Sequence, residues 1–145
     1  MPIRNALCVR IEIAVGGDDI TTSDPRIECE IVLATLRRCI VLQAITNVVG
    51  NAIKFTPTGG AIEIQGRGDG DAYTFIVSDT GPGIAIELVA RVFEPFAHGA
   101  SRGEDAAGLG LGLFIAHGIA LAHGGRIWVE RTGTTGTTLC LTLPA

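Results

Sequence analysis

No two of the four cysteines in this 145-residue chain form a C-x-x-C pair. Cys8, Cys29, Cys39 and Cys140 are scattered, so zinc spacing is absent and no disulfide framework is indicated. Small buried apolar residues in a reducing compartment are what the pattern supports. No Lys/Arg run stands out, and 11 basic against 15 acidic residues give a net charge of -4. That leaves no electrostatic footprint for nucleic acid. Long hydrophobic runs are also missing: the most apolar stretch, residues 109–122, is short and broken by Gly and His. The start, Met1-Pro2-Ile3-Arg4-Asn5, lacks the apolar core of a signal peptide. A soluble, cytoplasmic piece is expected, compatible with a membrane-anchored parent protein. There are no repeats and no low-complexity linker. Hydrophobic residues at 47 % and charged residues at 18 % exclude a disordered chain, and the length fits one domain, residues 1–145, with one core.

What is present reads as strands and helices in mixed order. Residues 7–15 alternate polar and apolar from Val9 onward, as a half-buried strand does. Gly16-Gly17-Asp18-Asp19 opens a turn, and residues 28–34 read as a second strand, completing a hairpin. A long helix follows over residues 36–55, with Thr35 as candidate N-cap and Pro57 and Gly59-Gly60 ending it. Residues 61–65 and 73–77 read as strands joined by the Gly/Asp turn 66–71. Residues 86–92 read as a short helix, 97–107 as a polar, Gly-rich mobile segment, and 111–123 as a second long helix stopped by Gly124-Gly125. Strands at 127–130 and 138–143 close the chain. Without a strict βαβ alternation, the expected class is a two-layer α/β sandwich, a mostly antiparallel sheet covered by helices on one side.

Three features carry possible chemistry. Gln43, Asn47, Asn51 and Lys54 fall four, four and three residues apart, one line along the long helix, with Val41, Ile45, Val49 and Ile53 opposite as core. The line is either an ordinary solvent face or a site. Two mid-helix asparagines are poor helix formers, whereas an Asn carbonyl is a hard oxygen ligand suited to Mg²⁺ and a Lys can meet phosphate charge. Asp79-Thr80-Gly81-Pro82-Gly83 follows a strand, so Asp79 can accept from a ligand amine beside glycines that let a ligand approach; a plain turn reads the same. Gly108-Leu109-Gly110-Leu111-Gly112-Leu113 runs into a helix start, a natural phosphate site, but is neither a Walker loop nor a dinucleotide fingerprint. Between them, Val92-Phe93-Glu94-Pro95-Phe96 is either two core phenylalanines around a Pro turn or an anchor for the segment that follows.

Taken in order, Asn47-x-x-x-Asn51-Ala52-x-Lys54-Phe55-Thr56-Pro57, Asp79-x-Gly81-x-Gly83, Phe93-Glu94-Pro95-Phe96 and Gly108-x-Gly110-Leu111-Gly112-Leu113 resemble the N, G1, F and G2 boxes of the histidine-kinase ATPase family. His123-Gly124-Gly125-Arg126-Ile127-Trp128-Val129 and residues 136–144 look like its last strands. The resemblance covers residues 36–145, about three-quarters of the chain; residues 1–35 match the family's edge strands loosely. It implies a Bergerat-type sandwich that binds Mg-ATP between the long helix and a flexible lid. By similarity Asn51 coordinates Mg²⁺, Asn47 supports the phosphate site and Lys54 contacts phosphate. Asp79 accepts from the adenine amino group, with Gly81 and Gly83 shaping the base pocket. Phe93 and Phe96 seat the lid, residues 97–107, in which Arg102 is the candidate γ-phosphate contact. Gly108, Gly110 and Gly112 wrap the triphosphate.

DNA gyrase, heat-shock chaperone and mismatch-repair ATPases share this fold but carry a Glu four residues before the Mg-binding Asn, as general base for water. Here that position is Asn47. The resemblance therefore implies phosphoryl transfer to a protein nucleophile. None of His98, His117 and His123 stands in an H-[ED] context, and Arg37-Arg38-Cys39 replaces the family's usual acidic turn. The acceptor histidine is thus expected on a separate dimerisation module, with a response regulator downstream and the isolated domain monomeric. Two other readings are a nucleotide-binding pseudokinase or interaction module and an anti-sigma-type Ser/Thr kinase. Asn47, where an acid is expected, counts against the last.

Overall fold

The computed structural model describes residues 8–14, 35–97 and 110–145, with side chains from residue 40 onward. In chain order these residues form β1 (Cys8–Ala14), α1 (Thr35–Phe55), β2 (Ala61–Gly68), β3 (Ala72–Asp79), α2 (Ile86–Val89), α3 (Gly112–Ala122), β4 (Arg126–Gly133) and β5 (Gly136–Pro144). The expected hairpin partner at 28–34 and the segment 98–109 lie outside the described residues.

The strands make one five-stranded sheet in the order β1-β2-β3-β5-β4. Among the described strands every neighbouring pair is antiparallel, in keeping with the expected mostly antiparallel sheet. Register follows the apolar alternation: Ile64 pairs with Val77, Ile62 with Asp79, Phe75 with Leu141 and Val77 with Leu139. β5, last in sequence, sits between β3 and β4. Val77, Leu139, Leu141, Leu143, Ile62 and Ile127 meet buried residues of α1 and α3 in one core, which defines the two layers.

The strands are longer than the turn residues alone suggest. The expected β2–β3 loop over 66–71 shrinks because Gly66 and Arg67 pair with Phe75 and Thr74. Asp69 closes what remains. Its Oδ1 accepts the N–H groups of Ala72 at 2.8 Å and Asp71 at 3.0 Å. Those two backbone donors, Ala72 first, hold its carboxyl below the usual carboxylate range.

α1 carries apolar residues on more than one face, and this is where the expected core face needs correction. The fully buried line is Ala44, Val48 and Ala52, with Val41, Ile45 and Val49 packed at its margin, while Ile53 is 49 % exposed. Thr35, the first described residue of α1, is already helical and so is not its cap. At the other end Thr56 Oγ1 and N–H both donate to Ala52 O, at 2.7 and 2.9 Å, before Pro57 stops the helix. α3 meets α1 through small residues: Ala116 and Ala120 are fully buried, as is Ala44, and small side chains let helix axes approach closely. α3 ends where Gly124 takes φ 72; Gly125 N–H reaches Ala120 O and Gly124 N–H reaches Leu121 O, a Schellman closure. Among the described residues no helix is long and apolar enough to cross a membrane.

Candidate functional site

The topology gathers three helix and strand ends at one end of the sheet. α3 turns back into β4 at the end of the sheet where β3 begins, with Arg126 opposite Thr142 and Thr142 opposite Thr74. The start of α3 therefore lies toward the other end, where β3 finishes in Asp79. The C-terminal end of α1 reaches the same place, since a Cβ on Gly81 would come 2.9 Å from Phe55 O.

Asn47 and Asn51 stand one turn apart on α1, both half-buried, while Gln43 and Lys54 are exposed. The Nδ2 of Asn47 is buried without a hydrogen-bond partner among the described residues. An unsatisfied buried donor of this kind costs about 1–3 kcal/mol, so it calls for a ligand. Gly112, the first residue of α3, sits directly over it: a Cβ there would lie 3.8 Å from Asn47 Cβ and 4.0 Å from its Oδ1. Among the described residues no side chain caps α3. Its first-turn N–H groups and the positive end of its dipole therefore face the same space as the Asn47 amide. Donors without acceptors on both walls fit a polyanion such as a phosphate chain.

Asp79 ends β3 with Oδ1 accepting the Gly81 N–H at 2.8 Å, which fixes the carboxylate and leaves its second oxygen for a ligand donor. The loop 80–84 is held at both ends. Thr80 Oγ1 accepts the Ala61 N–H at 2.9 Å, and Ile84 N–H donates to Thr132 Oγ1 at 2.7 Å. Gly83, at φ 80, passes so close to Gly133 that any side chain would collide with its backbone. Thr132 in turn pairs with Thr137 Oγ1 at 3.2 Å, and Thr137 stands opposite Asp79 in the ladder. Neither threonine was singled out from the sequence; their one signal there is the Thr-rich turn 132–138 between two strands.

Phe93 and Phe96 part company. The Phe93 ring is half-buried, packs on the core and stacks on His117 of α3, with centroids 5.4 Å apart and planes 25° from parallel. The Phe96 ring is 61 % exposed; its backbone makes the contact instead, N–H to Gly110 O at 3.2 Å. Lys54 Nζ rests 5.1 Å from the centroid of the neighbouring Phe55 ring. Gly108, Arg102 and His98 lie outside the described residues.

No group of three or more His, Cys, Asp or Glu that could hold a metal occurs among the described residues. A single Asn oxygen, that of Asn51, fits a Mg²⁺ held chiefly by phosphate oxygens and water, which is how this ion usually binds. A shallow hollow of about 240 Å³ beside Gly124, Arg126 and Pro144 is at the opposite end of the sheet and brings no comparable set of donors.

Residues 40–145 match the family described as histidine kinase-, DNA gyrase B-, and HSP90-like ATPase. The histidine protein kinase DivJ of Caulobacter vibrioides is 36 % identical over 102 residues, 70 % of this chain and 17 % of that protein. Among solved structures, the mycobacterial sensor histidine kinase MprB superposes with a TM-score of 0.65 at 33 % identity, covering 74 % of this chain and 73 % of that one. Full-length ShkA in complex with AMPPNP gives 0.63 at 33 %, covering 74 % and 22 %. The chain spans 17 % to 35 % of the length of the first curated relatives it matches.

Proposed function

Because the chain belongs to the histidine kinase-, DNA gyrase B-, and HSP90-like ATPase family, we propose that it is the catalytic domain of a sensor histidine kinase, binding Mg-ATP in the groove between α1, the 79–83 loop and the start of α3. The observation that carries this reading is the buried, unpartnered Nδ2 of Asn47 facing the uncapped N-terminus of α3.

Each residue then has a role its chemistry supports. The Asp79 carboxylate, fixed by Gly81, accepts a hydrogen bond from the adenine amino group, and Gly81 and Gly83 keep that wall flat. Asn47 and the first N–H groups of α3 at Gly112 donate to phosphate oxygens, with Gly110 and Gly108 continuing the wrap. Asn51 offers a carbonyl oxygen to Mg²⁺, and Lys54 swings from Phe55 to add positive charge. Bound Mg²⁺ supplies charge neutralisation across the phosphates. Arg102 is assigned to the γ-phosphate. Phe93 seats one wall, and Phe96 joins it through its backbone.

The reaction class follows from what the site does not offer. Asn47, a neutral amide, occupies the position of the hydrolases' general base and cannot take a proton from water. Positioned donors and charge carry the catalysis, and the γ-phosphoryl passes to a histidine on a separate dimerisation module, with a response regulator as the onward acceptor. His117 and His123 are engaged locally: one stacks on Phe93, and the other has Nδ1 2.8 Å from Ile119 O.

Calorimetric titration of the purified protein with ATP tests this. Binding strengthened by Mg²⁺, lost in Asp79→Asn and made insensitive to Mg²⁺ in Asn51→Ala is the expected result. Wild-type protein that takes up no nucleotide with or without the metal would sink the reading.

A further inference from the structure

His117 is the one polar side chain on α3, Gly-Leu-Phe-Ile-Ala-His-Gly-Ile-Ala-Leu-Ala, and none of the motif boxes includes it. Its ring lies on that of Phe93. The segment that carries Phe93 belongs to no strand. It leaves α2 on local hydrogen bonds, Arg91 N–H to Leu88 O at 2.9 Å and Glu94 N–H to Arg91 O at 2.8 Å, with an exposed Arg91–Glu94 ion pair, and Val92 and Phe93 pack against the core. Exposed pairs of this kind hold little. Among the described residues two contacts tie the segment to α3 and its lead-in: the ring stack, and Phe96 N–H on Gly110 O. Phe96 sits at φ 61, a left-handed conformation that a bulky residue keeps only where its surroundings impose it.

We propose that His117 is a positioning residue of the nucleotide site. Its flat ring clamps Phe93 between α3 and the core and so fixes residues 92–97 against the first turns of α3, in register with Gly112 and Asn47. The inference rests on the reading of the groove as a nucleotide site and adds a residue to it. The clamp needs a planar ring at position 117 and no hydrogen bond from it, so Phe serves there and Ala does not.

The test compares wild type, His117→Ala, His117→Phe, Phe93→Leu and the double variant Phe93→Leu/His117→Ala. Two measurements are made: affinity for Mg-ATP by calorimetry, and the rate of tryptic cleavage after Arg91, at the mouth of the segment, by mass spectrometry. Losing the stack should weaken ATP binding about fivefold and speed the cleavage by a similar factor. His117→Phe should restore both, and the double variant should be no worse than either single one. Wild-type behaviour of His117→Ala in both measurements, failure of Phe to rescue, or additive losses in the double variant overturns the proposal while leaving nucleotide binding intact. A wild type that binds no ATP removes the nucleotide-site reading, and the positioning role falls with it even if cleavage responds.

Discussion

Asn47 carries a donor that the fold leaves without an acceptor, and that makes it a residue at which stability and function oppose each other. Replacing it with the similarly sized, apolar Leu removes an unsatisfied buried group, so Asn47→Leu should stabilise the nucleotide-free protein by about 1 kcal/mol and abolish the Mg-ATP affinity. Thermal melts with and without Mg-ATP measure both; a variant that melts lower than wild type without nucleotide contradicts the orphan-donor argument. Asp69 behaves in the opposite sense to an unsatisfied group. The Ala72 and Asp71 amides lower its pKa in the folded state, so its contribution to stability is present above the unfolded carboxylate value and is lost as pH falls through the lowered folded one. An NMR titration should place the Asp69 midpoint below the ordinary aspartate value, and Asp69→Asn should flatten this part of the acid limb. Cys140 is buried, and burial foremost, with Glu130 adding to it, pushes its thiol up. That matches the inert role expected of it from the sequence.

At the scale of elements, the helices carry glycine where no packing demands it. Among the described residues a Cβ at Gly50 in α1 or at Gly118 in α3 meets nothing within 4 Å, and neither takes a positive φ. Gly50→Ala and Gly118→Ala should each stabilise the protein by about 0.5–1 kcal/mol, additively, as read by urea denaturation. Gly83 is the contrast: φ 80 and the Gly133 backbone leave no room, so Gly83→Ala should cost more than about 1 kcal/mol and distort the Asp79 loop. The helix and strand periods were legible because α1, β2, β3 and β5 have long, consistent patterns. The inward face of α1 was not. With apolar residues at positions 40, 41, 42, 44, 45, 48, 49, 52 and 53, several lines satisfy a helical period. The close approach of α3, through Ala116 and Ala120, selected Ala44, Val48 and Ala52 over the larger Ile53.

For the whole molecule, one core joins elements from both halves of the chain. Leu141 is buried at 2 % exposure on the interior strand β5, between β3 and β4 and beneath the helices. Leu141→Ala should destabilise the fold by about 2–5 kcal/mol and lower the melting of sheet and helix signals together. Separate transitions for the two signals in circular dichroism would show that the layers are not one cooperative unit.

The order of the boxes, the glycines that bracket them and the neutral Asn47 are properties of the chain, and they determined family and fold class and support the proposed reaction type, because each depends on residue type at a fixed spacing along one element. The tertiary structure decided what depends on elements distant in sequence. It set Gly112 against Asn47, tied Thr132 and Thr137 behind the Asp79 loop, and laid His117 on Phe93 while leaving the Phe96 ring in solvent. No local period records a contact between residues 24 or 65 positions apart. Such contacts exist only once β5 has inserted between β3 and β4 and α3 has packed on α1.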